Sequence, residues 1–233
     1  MMNAIMKITV AFFILALFDL TPALALETTI AQWTFETTIP TTAGPVSADV
    51  GSGTGMGLHS ADAAYSNPSG NGSNESWSAN KWSVGDYWQF SVSTLGFNGI
   101  QISYDQYGSG TGPRDFDVEY STDGIGFTTI TSYALSAATT WDSRSFDLSS
   151  IAGLNNSSTV YFRLVDTSTA SANDGTVGTS GTDRIDNFTI TGTQIPLNVP
   201  ASTPGLAGLV CILGLLTVWR INNASNLARQ KNI

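Results

Sequence analysis

The sequence predicts an all-β protein whose central domain is an antiparallel β-sandwich, with a jelly roll as the first choice and an immunoglobulin-like sandwich as the alternative. Three observations lead to this prediction. Short runs of alternating apolar and polar residues, rich in β-branched and aromatic side chains, recur between residues 26 and 195. Turn-forming sequences separate these runs. The same region shows no apolar stripe at helical spacing beyond a possible turn at 148–154.

Eight runs carry the strand pattern, and they are residues 30–36, 87–92, 99–107, 115–121, 127–133, 144–148, 159–166 and 184–191. The run at 115–121 alternates cleanly, because Phe116, Val118 and Tyr120 share one face and acidic residues share the other. The turn sequence at 121–124 predicts a hairpin after this strand. In the last run, the Asp186–Asn187 pair interrupts the alternation. Eight short strands in one domain favour a sandwich.

Two long stretches, 37–82 and 168–182, lack the strand pattern and are rich in Gly, Ser and Asn. Loops of this length are uncommon, and they are typically functional or disordered. Within the first stretch we expect short strand fragments around 56–61. The glycine-rich segment 51–57 is predicted to be a loop, since it lacks the Lys-Ser/Thr pair of a phosphate-binding loop.

The N-terminus, residues 1–25, has the order of a secretory signal peptide. Lys7 supplies the positive charge, an apolar run follows at 8–18, and Ala23 and Ala25 provide the small residues of a cleavage site. We expect cleavage after Ala25, with an uncleaved membrane anchor as the alternative. The exported domain then spans residues 26–195.

The C-terminus carries a second apolar segment at 205–219, which Arg220 follows directly. The tail at 220–233 is basic, so the positive-inside rule predicts a cytoplasmic tail and an exported central domain. We therefore expect residues 205–219 to be a hydrophobic, membrane-contacting helix. A linker at 196–204 precedes this helix.

This linker and helix together resemble a PEP-CTERM sorting signal. Pro200 matches the first proline of that motif, Ala201 stands where the family has Glu, and Pro204 comes two residues late. The resemblance covers about the last thirty residues. It implies a bacterial envelope protein that a sorting protease of the exosortase type processes, and it associates the protein with extracellular polysaccharide. An uncleaved anchor is the alternative.

Composition excludes several classes of function. The chain has a net charge of −9, so it lacks the basic surface that nucleic acid binding needs. One Cys and one His exclude an internal disulfide framework and multi-histidine metal centres. A catalytic role for His59 beside Ser60 and Asp62 is not expected, because sequence proximity does not define a catalytic triad.

Two short motifs point to a cation site. The first strand ends Trp33-Thr-Phe-Glu36, and the last strand contains Arg184-Ile-Asp186-Asn187. These motifs resemble the jelly-roll carbohydrate-binding modules of galactose-binding-like fold, in which the corresponding carboxylates hold a structural Ca²⁺. The resemblance implies that Glu36 and Asp186 are Ca²⁺ ligands, as a hard cation prefers oxygen donors. The alternative is that Asp186 pairs with Arg184 or Arg163 and that Glu36 caps a sheet edge.

Aromatic residues are the best indication of a sugar ligand. Trp77, Trp82 and Tyr87 lie among polar residues, and we expect them to be exposed stacking platforms, whereas Trp88 alternates with core positions. The alternative is that the tryptophans cover the sandwich edge. We therefore predict an exported cell-surface protein that binds extracellular polysaccharide without catalysis. A purely structural or adhesive protein and a glycan-cleaving enzyme with a carboxylate pair are the alternatives.

Overall fold

The computed structural model describes residues 26–196. The predicted signal peptide at 1–25, the helix at 205–219 and the tail at 220–233 lie outside the described residues, as does the linker after Pro196. Among residues 26–196, no helix has the length and apolar character that crossing a membrane requires.

Two antiparallel sheets form the described domain, which confirms the predicted all-β sandwich. The first sheet consists of β1 (Glu27–Trp33), β3 (Val50–Gly51), β5 (Tyr65–Ser66), β6 (Trp77–Ala79), β8 (Phe97–Gly108), β11 (Trp141–Asp147) and β13 (Asp183–Gln194). The second sheet consists of β2 (Val46–Ser47), β4 (Gly53–Leu58), β7 (Tyr87–Val92), β9 (Asp115–Ser121), β10 (Thr128–Ala134) and β12 (Val160–Asp166). A 3₁₀ turn at Ala152–Leu154 is the one helical element of these residues.

The chain crosses repeatedly between the sheets, as a jelly roll requires. From β7 to β9 it passes from the second sheet to the first and back, and β11 to β13 repeats this alternation. The first and last strands pair with each other, since β1 lies against β13. This arrangement brings residues from both ends of the domain to one region of the first sheet.

Apolar residues of both sheets meet in one core, and the alternation in the sequence identifies many of them. Trp88, Phe90 and Val92 of β7 are buried, as predicted, and so are Phe116 and Val118 of β9. In β13 the core residues Ile185, Phe188 and Ile190 lie on either side of an irregularity in the pairing with β8. The Asp186–Asn187 pair produces this bulge, and Asn187 has a φ of 52°.

The first strand lies three residues earlier than predicted, at Glu27–Trp33 rather than 30–36. Asp49 explains this end of the strand. Its carboxylate accepts hydrogen bonds from the backbone N–H groups of Thr34, Phe35 and Thr38, at 2.7, 2.8 and 2.9 Å. A side chain thereby replaces the ladder partners that a longer strand would need. Phe35 is nevertheless fully buried.

The prediction that residues 51–57 form a loop is wrong, because β4 spans most of this segment. The glycines allow the strand to lie directly on aromatic rings. A Cβ atom at Gly55 would meet the ring of Phe90 at 3.2 Å, and one at Gly57 would meet Trp88 at 3.1 Å. Expecting strand fragments in the 37–82 stretch was correct, since β2 to β6 all lie there.

Candidate functional site

The predicted stacking role of Trp77 is wrong, because its side chain is 0% exposed. The Trp77 ring packs against Trp88 at 4.5 Å between centroids, and its Nε1 donates to the carbonyl oxygen of Thr42 at 3.2 Å. The polar neighbours that suggested exposure are themselves buried. Ser76, for instance, is 0% exposed and donates to the carbonyl oxygen of Pro68 at 2.7 Å. Short hydroxyl side chains satisfied by the backbone therefore imitate a surface sequence.

Trp82 is also no exposed platform, since it is only 4% exposed. Its ring lies 4.2 Å from His59 and 5.8 Å from Phe116, and its Nε1 donates to Ala79 at 2.9 Å. The segment after β6 folds over the end of the core, and Trp82 covers that end. The alternative weighed from the sequence, that these tryptophans cover the sandwich, is the one that the structure supports.

Tyr87 lies apart from both tryptophans, half-buried on the outer face of the second sheet. The guanidinium of Arg163 lies 3.9 Å from the Tyr87 ring centroid and donates to its hydroxyl at 3.0 Å. Phe127 covers the same guanidinium at 3.5 Å. An arginine thus occupies the Tyr87 ring, and the three predicted aromatic residues do not form one surface.

Glu36 and Asp186, the predicted metal ligands, both contact the loop between β5 and β6. Glu36 accepts a hydrogen bond from the backbone N–H of Glu75 at 2.7 Å. Asp186 accepts from the backbone N–H of Asn71 and from the Ser73 hydroxyl, each at 2.8 Å. Asp186 is fully buried, and burial raises its pKa while these hydrogen bonds oppose the increase. One loop therefore joins the two carboxylates.

Oxygen atoms converge beside Gly70 in this loop. A Cβ atom at Gly70 would collide with Asp186 Oδ2, the Ser73 hydroxyl and the Glu75 carbonyl oxygen. These are the donor types that Ca²⁺ prefers, so the residues fit the predicted ion. Among residues 26–196, no group of three or more acidic, His or Cys side chains is placed to hold a metal. Backbone and hydroxyl oxygens would have to complete the coordination.

The described salt bridges do not include the alternative partners of Asp186. They join Lys81 to Asp62, Arg114 to Asp115 and Asp174, and Arg144 to Asp142. The expectation that Asp186 pairs with Arg184 or Arg163 therefore finds no support within residues 26–196.

His59 does not form a catalytic triad with its sequence neighbours. Its Nδ1 lies 2.8 Å from the Tyr65 hydroxyl, whereas Asp62 binds Lys81 and Ser60. Burial lowers the pKa of His59 to about 3, so the ring is neutral at physiological pH. Its ring packs edge-on against Trp82 and acts as a core residue.

The outer face of the first sheet carries an aromatic pair that the sequence analysis did not select. Tyr107 of β8 lies between Trp141 of β11 and Arg184 of β13 in directly opposed register. The Tyr107 and Trp141 rings are 5.4 Å apart, and the Arg184 guanidinium lies 4.4 Å from the Tyr107 ring. All three side chains are half-buried. We call Tyr107, Trp141 and Arg184 the stacking face.

Arg184 has unused hydrogen-bonding capacity. Its Nε is buried and has no hydrogen-bond partner among the described residues, and the four salt bridges of this region do not involve it. A buried donor without a partner costs about 1–3 kcal/mol. The cation therefore stands on the sheet as an available donor beside two aromatic rings.

A polar groove of about 370 Å³ continues the same outer face. Asp105 is central to it, because it accepts hydrogen bonds from the Ser143 hydroxyl and, at 2.9 Å, from Asn187 Nδ2. Ser103 and Thr189 also line the groove and are directly opposed in the ladder. The bulge at Asn187 turns this amide toward Asp105, so an irregularity in β13 builds part of the groove.

Sequence reasoning missed the stacking face because strand register creates it. Tyr107 and Trp141 are 34 positions apart in the chain and meet only when β8 pairs with β11. The available signal was the alternation at 141–147, where Trp141 shares a phase with Ser143 and Ser145. The expectation that only one of Tyr104 and Tyr107 faces a groove was sound, since Tyr104 is 2% exposed.

The sequence matches no protein-family model, and no curated protein matches it. Solved structures of similar fold include a xylan-binding domain from Paenibacillus barcinonensis, at 15% identity and a TM-score of 0.45, covering 70% of this chain and 99% of that domain. Another is a cleaved adhesin domain of Lys-gingipain from Porphyromonas gingivalis, at 14% identity and a TM-score of 0.43, covering 71% and 96%. Similarity of this degree does not identify a ligand for this chain.

Proposed function

We propose that this domain binds a polysaccharide without catalysis, on the outer face of the first sheet. The observation that carries the proposal is the stacking face itself, an aromatic pair that lies beside an unpartnered arginine and continues into a polar groove. Flat aromatic rings bury the C–H faces of sugars, and a few well-placed polar groups fix the orientation of a ligand.

The two parts of this face divide the work of binding. Tyr107 and Trp141 offer two adjacent rings across neighbouring strands, which suits successive sugar units of a chain. Asp105 accepts hydrogen bonds from ligand hydroxyls, and Arg184 donates them. The side chains stand on paired strands, which are more rigid supports than loops.

The test is a binding titration of the full-length chain against a panel of purified plant and bacterial polysaccharides. We expect Trp141→Ala and Tyr107→Ala each to weaken binding about tenfold or more, about 1.4 kcal/mol, since buried aromatic contacts dominate such surfaces. Tyr161→Ala removes a half-buried aromatic ring from the second sheet and serves as the matched control.

Each outcome decides between the candidate functions. Binding that survives both substitutions would place the ligand elsewhere and refute the stacking face. Failure of every polysaccharide to bind would favour the structural or adhesive alternative. Release of new reducing ends from a polysaccharide would favour the glycan-cleaving enzyme with a carboxylate pair.

We also propose that Ca²⁺ binds between Glu36, Asp186 and the loop at 70–75 and rigidifies this edge of the first sheet. Support comes from the oxygens that converge beside Gly70 and from the burial of Asp186 without a cationic partner among the described residues. The test compares melting temperatures with Ca²⁺ and with a chelator. A Ca²⁺-dependent increase that Asp186→Asn removes is expected, and no response to Ca²⁺ in the unmutated chain would refute the site.

We propose, finally, that the domain is displayed on a bacterial cell surface. This proposal rests on the signal-peptide pattern at 1–25 and the sorting-signal resemblance around Pro200 and the segment at 205–219. Mass spectrometry of the mature protein tests it. A new N-terminus at Leu26 and a C-terminus near the linker indicate export and exosortase-type processing, whereas an intact C-terminus indicates a membrane anchor.

A further inference from the structure

A second cavity, of about 370 Å³, lies at the end of the sandwich where β12 ends and β7 begins. Two loops form it, one between β6 and β7 and the other between β12 and β13. Trp82 and Val84 line it from the first loop, and Thr176 and Val177 line it from the second. The cavity is separate from the stacking face, with which it shares no lining residue.

Asp166, the last residue of β12, also lines this cavity and is only 1% exposed. Its Oδ1 accepts a weak hydrogen bond from the backbone N–H of Ser168 at 3.3 Å. Its Oδ2 is buried and has no hydrogen-bond partner among residues 26–196. A buried polar atom in this state costs about 1–3 kcal/mol, and such costs concentrate at sites that serve a ligand.

The charges around the cavity restrict the ligand. Asp86 and Asp115 are the charged groups that act on Asp166, and both are acidic, so an anion would be repelled. The nearby Arg114 already pairs with Asp115 and Asp174. Within the described part of the chain no cluster of acidic, His or Cys side chains is placed to hold a metal. An uncharged ligand remains.

We propose that this cavity binds one uncharged sugar residue, with a ring hydroxyl hydrogen-bonded to Asp166 Oδ2. A hydroxyl both donates and accepts, so it satisfies the carboxyl group in either protonation state. The indole of Trp82 and the side chains of Val84 and Val177 supply apolar surface for the C–H groups of the ring. The volume is at the lower end of the range for ligand pockets, which suits one or two sugar rings.

This inference shares only its ligand class with the proposed function and uses different residues. The stacking face is open and spans three strands, whereas the cavity has a buried carboxyl group in its wall. A cavity of this kind selects a terminal or free sugar, since an internal unit of a chain would have to continue in both directions.

The test uses the full-length chain and methyl glycosides of glucose, galactose, mannose and xylose, titrated by saturation-transfer NMR and calorimetry. At least one glycoside is expected to bind with a Kd of about 1 mM, equivalent to about 4 kcal/mol. Asp166→Leu removes the hydrogen-bond acceptor, and Thr176→Trp fills the rim from an exposed position. Each is expected to weaken binding about tenfold or more, which corresponds to about 1.4 kcal/mol.

Thr179→Trp is the matched control, because Thr179 is exposed on the same loop but does not line the cavity. Failure of all four glycosides to bind overturns the proposal, and so does binding that Asp166→Leu and Thr176→Trp leave unchanged. Binding of Ca²⁺ alone that Asp166→Leu abolishes also overturns it, in favour of a cation site.

Parallel polysaccharide titrations separate this proposal from the previous one. Polysaccharide binding without glycoside binding refutes the cavity alone. Glycoside binding without polysaccharide binding refutes the stacking face alone.

Discussion

Replacing Asp166 with leucine is expected to stabilise the protein at alkaline pH, although it removes the proposed ligand contact. Burial raises the pKa of Asp166 to about 7, with a smaller contribution from Asp86 and Asp115. The folded chain therefore holds a proton that the unfolded chain, in which this carboxyl group has its ordinary pKa of 3.8, has released. Because the folded state binds more protons between about pH 4 and pH 7, its stability decreases as pH rises through this window.

The magnitude follows from the buried oxygen. Above pH 7 the folded chain must hold an ionised carboxylate whose Oδ2 has no partner among the described residues, at a cost of about 1–3 kcal/mol. Leucine has a similar size and no polar atom. For a domain of this size each kcal/mol shifts the melting temperature by about 2–4 °C, so Asp166→Leu should melt roughly 2–12 °C higher at pH 8.

Differential scanning calorimetry of the full-length chain from pH 5 to pH 8 measures this effect. The difference between Asp166→Leu and the unmutated chain should be small at pH 5 and should grow as pH rises. Asp117→Asn, on the outer face of the same sheet, serves as the control and should follow the unmutated chain. A melting temperature that Asp166→Leu lowers equally at both ends of the pH range would refute the reasoning.

Three further substitutions test the fold. Gly51→Ala should destabilise the domain by about 1–3 kcal/mol more than Gly72→Ala in urea unfolding, since both glycines have positive φ but only Gly51 abuts backbone atoms; equal losses would contradict this. Asp183→Asn places an amide against two N–H donors in the core and should cost about 1–3 kcal/mol, seen as a lower melting temperature; an unchanged one would show that the carboxyl group is dispensable. Burial opposes a low pKa for Asp49, but hydrogen bonds from the 34–38 segment prevail and lower it. Its stabilisation is present above pH 3.8 and is lost as pH falls, so Asp49→Asn should destabilise the domain at pH 7 and flatten its acid unfolding, and an unaltered acid transition would refute this.

The strands with clean alternation were predicted accurately because their pattern is local. β7 and β9 have the predicted bounds, and the hairpin between β9 and β10 forms where Asp123 accepts the N–H groups of Ile125 and Gly126. Side-chain periodicity and turn chemistry act over a few residues, so they can be recognised without the tertiary structure.

The candidate sites were predicted only in part, because contacts distant in sequence build them. Glu36 and Asp186 meet the same loop, as the family resemblance implied, although nothing in the sequence pattern indicated that loop. Trp77 and Trp82 were misjudged, since their polar neighbours find backbone partners inside the fold. Sequence composition reports the chemistry of a segment but not its burial.

The sequence by itself determined the class of fold, most of the strands and the identity of much of the core. Those properties follow from a period of two and from turn residues, which any sandwich of this composition would share. Only the tertiary structure decided which side chains meet. Register placed Trp141 beside Tyr107, and two loops enclosed Asp166 with one oxygen lacking a partner among the described residues. Binding surfaces depend on such long-range pairing, whereas strands depend on their own neighbours.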